Sequence, residues 1–112
     1  MCDKAMLHKV LTTAKNGMKA IFGEQLTAIY LYGSYARNEA DDESDIDLIV
    51  LLDMPKDEIS KHRRTVSNFS SDIDLEYDVL VSIKLQDLQT FTKYKTTLPF
   101  FQNVLKEGVA LV

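Results

Sequence analysis

The chain is poor in cysteine, glycine and proline. One cysteine, Cys2, lies near the start of 112 residues. A lone thiol cannot close an internal disulfide, and without neighbouring ligands it makes no zinc site. Four glycines and two prolines offer no flexible linker, and no repeat or low-complexity tract is present. No stretch approaches the roughly 18 consecutive apolar residues that read as a membrane span. The first ten residues carry Asp3, Lys4, His8 and Lys9 in place of the apolar core of a signal sequence. These absences lead us to expect a cytoplasmic protein with a single domain over residues 1–112. His8 and His62 lie far apart beside basic residues and read as surface histidines.

Bases are missing from one place in particular. Residues 39–47 hold Glu39, Asp41, Asp42, Glu43, Asp45 and Asp47 and no Lys or Arg. The net charge is −4, yet removing those six acids from the 17 leaves 11 against 13 bases. Charge gathered this way is either a solvated loop or a metal site, and the order inside the run decides between them. A calcium-binding EF-hand is excluded, because the run lacks that motif's glycine and ligand spacing.

What the chain does have is periodicity. Its 46% hydrophobic content is enough for one packed core. Apolar residues recur at helical spacing over residues 3–22, with Asp3 as a cap and Gly23 as a stop. Residues 26–32 and 45–52 read as strands, the second apolar on both faces in its far half, as in a covered central strand. A helix is expected over 56–70, a third strand over 75–81, helices over 85–94 and 98–106, and a short apolar end at 109–112. This order predicts an α/β (α+β) domain with a mixed, mostly antiparallel sheet. The three strands should be neighbours, with helices packed on one side. The aromatic tail, Leu98 to Val109, reads first as core and second as a partner interface.

Chemistry concentrates between Leu31 and Leu48. On a strand, Asp45 and Asp47 point to the same face, with Cα atoms about 6.6–7 Å apart. Two carboxylates so placed can converge on a hard cation such as Mg²⁺, which is commonly shared with substrate phosphates. Ile46 and Leu48 point into the core and so fix the aim of both acids. Upstream, Gly33-Ser34 ends a strand and opens a turn. Glycine admits a close ligand, and free N–H groups at a helix start attract phosphate. Arg37 follows within reach of phosphate oxygens.

Gly33-Ser34-Tyr35-Ala36-Arg37 followed by Ser44-Asp45-Ile46-Asp47-Leu48 resembles the signature of the DNA polymerase β-like nucleotidyltransferases. Within them, the chain is similar in length to the minimal nucleotidyltransferases, which include antitoxin partners of HEPN-domain proteins. One departure is Asn38, where many members have Gly; Asn tolerates left-handed backbone, so a small effect is expected. The resemblance implies transfer of a nucleoside monophosphate, AMP by family habit, from a triphosphate to a hydroxyl. It implies Asp45 and Asp47 as ligands of two Mg²⁺ ions, with Gly33 and Ser34 at the phosphates of ATP or another triphosphate and Arg37 as either a phosphate contact or a buttress for the loop. It also implies a third carboxylate on a neighbouring strand. Asp74, Glu76 and Asp78 share a face if 75–81 is that strand, and Asp78-Val79-Leu80-Val81 fits the family pattern best. Asp78 is therefore expected as third metal ligand and proton acceptor. The implied partner is a HEPN-domain protein modified on a Tyr, Ser or Thr. The alternatives are a silent masking antitoxin and an antibiotic-type transferase. Neither membrane nor direct nucleic-acid binding is expected, and self-association is left open.

Overall fold

The computed structural model describes residues 3–112; Cys2 lies outside them. Helix α1 spans Lys4–Phe22, and the Asp3 carboxylate caps it by accepting the Met6 N–H at 2.8 Å. Gly23 ends it at φ 57°, a left-handed value that glycine adopts without strain. Strands β1 (Leu26–Tyr32) and β2 (Ile46–Leu52) follow, then helices α2 (Lys56–Ser60) and α3 (Arg63–Tyr77). Strand β3 (Val81–Asp87), helices α4 (Leu88–Tyr94) and α5 (Pro99–Glu107) and the short strand β4 (Val109–Ala110) complete the order.

The sheet runs β3-β2-β1-β4. β1 is antiparallel to both β2 and β4, whereas β2 and β3 are parallel. The sheet is thus mixed and mostly antiparallel, as the sequence predicts. The parallel pair needs a crossover, which α2 and α3 supply. Among the described residues, no helix is long and apolar enough to cross a membrane.

Helices cover both faces rather than one. On one face Val10, Ala14 and Met18 of α1 and Val66 and Ile73 of α3 pack against Ile29, Leu31, Leu48 and Val50. On the other, Phe91 of α4 and Phe101 and Val104 of α5 pack against Ala28, Ile49 and Leu51. The tail reading is met by half of α5: Phe101 and Val104 are buried, while Phe100 and Leu105 stay exposed.

The third strand lies six residues later than the sequence pattern suggests. The segment expected as one helix over 56–70 divides at Lys61-His62, and α3 then continues to Tyr77. Ile73 and Tyr77 are one helical turn apart; Ile73 is buried, and the Tyr77 hydroxyl meets Thr13 of α1 at 3.0 Å. Helix packing therefore overrides the local alternation. Leu75 consequently faces solvent, 85% exposed. At the other end, Val81, Ile83 and Leu85 carry the true period-two apolar face. Residues 85–87, expected to open a helix, finish β3, and the Asp87 carboxylate caps α4 by accepting the Thr90 N–H at 2.8 Å.

Candidate active site

At the end of β1, Gly33 turns the chain out of the sheet at φ 77°. A single helical turn follows, in which the Arg37 N–H donates to Gly33 O at 3.1 Å and the Glu39 N–H to Ser34 O at 2.9 Å. Asn38 closes this turn in the left-handed region, φ 59°. The six-residue return bond over a left-handed residue is the Schellman arrangement, and Asn38 fills the position that glycine usually holds. The departure from the family pattern is thus accommodated, as expected from asparagine's tolerance.

The acidic loop is tied locally. Asp41 accepts from the Glu43 N–H at 2.9 Å and the Ser44 hydroxyl at 3.1 Å, while the Ser44 Oγ accepts the Asp41 N–H at 3.0 Å. Directly after this knot, Asp45 is exposed, and Asp47 is half-buried as the second residue of β2. Ile46 and Leu48 between and beyond them are buried on the opposite face, as the register argument requires.

Asp47 lies opposite Tyr32 of β1 and Ser82 of β3, so these three side chains share a face across three strands. Burial, and then the neighbouring Asp45 charge, raise the Asp47 pKa above its ordinary value; Arg37 opposes both. The Tyr32 hydroxyl is raised too, first by burial and then by Asp47. A β-carbon built at Gly33 would come within 2.5 Å of Asp47 Oδ2. Glycine is therefore what lets the turn and the carboxylate lie together, and it leaves the turn's backbone beside the acid pair.

Arg37 is engaged by carboxylates, with its Nε 3.0 Å from Glu39 Oε2 and an Nη 3.6 Å from Glu107 of α5. This ties the turn to α5. Phe100 packs on the face that carries Asp47, 5.3 Å edge-on to Tyr32 and 4.8 Å below the Lys84 ammonium. Sequence reasoning missed Tyr32, Ser82 and Lys84. Tyr32 adjoins the Gly33 motif and could have been found by period-two counting. The other two depend on the true position of β3.

The expected third-carboxylate set does not form a strand face. Asp74 lies within α3 and holds the start of β3 through the Val81 N–H, which donates to its Oδ1 at 2.8 Å. Glu76 is exposed on the same helix. Asp78 is the left-handed residue that ends α3, φ 53°, its N–H donating to Asp74 O. It lines a hollow with Glu43, Ser44 and Ile46, whose side chain leaves β2 on the face opposite Asp47. Among the described residues no three His, Cys, Asp or Glu side chains gather as a metal-holding group. The positions beside Asp45 and Asp47 are Leu80, immediately before β3, and Ser82 on it, neither of them acidic.

The donor set fits a magnesium ion in part. Mg²⁺ is commonly held by one or two carboxylates together with waters and substrate phosphates. Asp45 and Asp47 supply such a pair, and their mutual repulsion favours a cation between them. On β2 and its β3 neighbours, a second ion would find only the same two carboxylates.

A sheet with this order, a glycine turn and a paired-aspartate strand defines a nucleotidyltransferase fold. The family description "Polymerase beta, Nucleotidyltransferase" matches residues 16–112, and the chain belongs to that family. It is accordingly an enzyme of the nucleotidyltransferase class. Relatives in Methanocaldococcus jannaschii bear the name putative protein adenylyltransferase. One is 30% identical over 103 residues, covering 92% of this chain and 95% of the relative. Another is 32% identical over 75 residues, covering 66% of this chain and 73% of the relative. Similar solved structures are MNT antitoxins with their toxins. One, described as a toxin–antitoxin with AMP-PNP, has a TM-score of 0.61 at 22% identity, covering 91% of this chain and 72% of that one. Another, described as a tri-AMPylated Shewanella oneidensis HEPN toxin in complex with MNT antitoxin, has a TM-score of 0.52 at 21% identity. It covers 97% of this chain and 71% of that one. At these identities the structural likeness is one of fold.

Proposed function

We propose that this domain transfers AMP from ATP to a hydroxyl of a HEPN-type partner protein and so acts as an antitoxin. The observation that carries the reading is the contact of turn and acid: Gly33 lies so close to Asp47 that an added β-carbon would displace the carboxylate from its present position. Phosphates laid on the turn would come directly beside the acid pair. The support from relatives is consistent, since those in Methanocaldococcus jannaschii bear the name putative protein adenylyltransferase and one solved complex holds an AMPylated HEPN toxin.

Asp45 and Asp47 would hold Mg²⁺, which when bound offsets phosphate charge. Gly33 and Ser34 would position the terminal phosphates through backbone and hydroxyl donors. Arg37, held by Glu39 and Glu107, keeps the turn in shape and lowers the charge cost at Asp47. The acceptor oxygen attacks the α-phosphorus, the bond to the bridging oxygen breaks, and pyrophosphate leaves. Asp78 remains the candidate third ligand and proton acceptor from the family pattern, and nucleotide binding by Asp78→Asn tests that role.

A second reading is favoured by one observation, the non-acidic Leu80 and Ser82 beside the pair. In it the domain binds nucleotide and masks its partner without transfer. Incubation with ATP, Mg²⁺ and a candidate HEPN-domain partner, followed by intact mass spectrometry, separates the two. An AMP adduct on the partner that disappears with Asp45→Asn plus Asp47→Asn supports transfer. A tight complex with no adduct supports masking, and an adduct only on Tyr35 of this chain overturns the partner assignment.

A further inference from the structure

β3 is an outer strand of the sheet. Leu80 C=O accepts the Ile46 N–H at 2.8 Å, so the even-numbered residues of this segment address β2. By alternation, Val81, Ile83 and Leu85 aim their N–H and C=O groups away from the sheet. At Val81 those groups are closed by α3: its N–H donates to Asp74 at 2.8 Å, and its C=O accepts from the Ser70 hydroxyl at 2.7 Å. For one residue, helix side chains imitate a neighbouring strand.

Further along, the helix and the strand part. Two hollows of about 240 and 620 Å³ open there, and both are lined by Arg63, Ile83 and Leu85. Val66 adds an apolar wall to the smaller, and Lys56 a cation to the larger. Lys84 stands on the other face of the strand at the same level. The local acid, Asp87, is buried and occupied by the Thr90 N–H and the Gln86 amide. A chain of net charge −4 thus sets three bases around one exposed strand edge.

We propose that this edge accepts an extended segment of a partner protein as a fifth strand, with side chains alternating between apolar and acidic. An added strand would lie about 4.7–4.9 Å from β3 and bond to the outward groups of Ile83 and Leu85. Its apolar side chains would fill the hollows over Ile83, Leu85 and Val66. Its acidic ones would meet Lys84 on the opposite face, while Arg63 and Lys56, beside the hollows, would attract the acidic segment at longer range. Bases on an edge also discourage pairing between copies of a protein. The same charge selects an acidic strand. This inference is independent of the reaction proposed above.

The test uses a fluorescently labelled short peptide of alternating valine and aspartate, read by anisotropy on the full chain. A valine–lysine peptide serves as control. Two further versions carry N-methyl groups on one or the other alternate set of amides. The valine–aspartate peptide should bind at least about tenfold more tightly than the lysine control, and it should weaken about tenfold with Arg63→Glu plus Lys56→Glu. Both positions are exposed first residues of helices, where glutamate is favoured, so the fold should survive. N-methylation of one amide set should abolish binding and of the other leave it intact, because only one set faces β3. Hydrogen exchange should slow at Ile83 and Leu85. Equal binding by both methylated peptides, equal binding of the lysine control, or protection elsewhere would overturn the proposal. So would self-association that buries this edge and survives the charge reversal.

Discussion

Gly33→Ala is the sharpest probe of the site. Alanine at φ 77° carries the left-handed penalty of about 1–2 kcal/mol. Its β-carbon would also sit 2.5 Å from Asp47 Oδ2, so the carboxylate must rotate off its present position. An off-rotamer side chain costs about 0.5–1.5 kcal/mol. The sum is about 2.5 kcal/mol, or roughly 10 °C in melting temperature for a domain of this size. The two parts can be separated by a double-mutant cycle with Asp47→Ala, which removes the clash and leaves the backbone strain. Gly33→Ala should then cost about 1 kcal/mol less in the Asp47→Ala background. Asn38→Ala, strained at φ 59°, is the control without such a contact. Calorimetric titration with Mg²⁺ and ATP should show at least about tenfold weaker binding for Gly33→Ala and little change for Asn38→Ala. Coupling below about 0.3 kcal/mol, together with unchanged nucleotide affinity, would refute the idea that glycine seats the carboxylate.

Other outcomes follow from the same geometry. Asp45→Asn plus Asp47→Asn should abolish Mg²⁺-dependent ATP binding, seen by titration, with no loss of melting temperature. Because the Asp47 pKa is raised in the fold, its share of stability is fully present below the unfolded value of about 3.9 and is lost as pH rises through the folded value. Asp47→Asn should therefore gain on the parent at neutral pH and lose that gain in acid, as read by urea unfolding across pH. Asp78→Gly should raise stability by about 0.5–1 kcal/mol, since glycine suits φ 53°. Unchanged Mg²⁺–ATP affinity in that variant would leave Asp78 a helix end, whereas lost affinity would restore it as a ligand. Asp87→Ala should cost about 1 kcal/mol as a lost cap. Burial pushes the Asp87 pKa up, but the Thr90 hydrogen bonds and Lys56 outweigh it and hold the pKa down. Its stabilisation should be present above the unfolded carboxylate pKa and vanish as pH falls through the folded one, as read by the difference in melting temperature across pH.

The sequence was most legible where period and burial agree. β1 begins and ends where the pattern places it, and β2 starts one residue late because Asp45 precedes the paired segment. The left-handed Asn38 follows from its side chain alone. The third strand was hidden because Glu76 and Asp78 separate Leu75, Tyr77 and Val79, and the apolar run Val79-Leu80-Val81 follows, as in a strand. What keeps Tyr77 in α3 is a contact 64 positions away, with Thr13, which local spacing cannot report. Shifting the strand carries Asp74, Glu76 and Asp78 out of the sheet and brings Ser82 and Lys84 onto the Asp47 face. The site is thus half readable. Asp45, Asp47, Gly33 and Arg37 lie in one continuous motif, whereas their β3 neighbours depend on register.

The acidic loop has a thermodynamic consequence. Asp41 and Ser44 hold each other and the Glu43 amide in a closed set of bonds immediately before Asp45. Asp41 therefore shapes the loop, while Asp45 and Asp47 are left to receive charge. The backbone ahead of the pair is immobilised when the protein folds, so a nucleotide arriving there has little chain entropy left to remove. Association of Mg²⁺–ATP should then show the modest unfavourable entropy of a preformed site rather than the large one of a loop that orders on contact. Asp41→Ala would transfer that ordering from folding to binding, with the nucleotide's entropy of association becoming more unfavourable while Asp45 and Asp47 remain untouched.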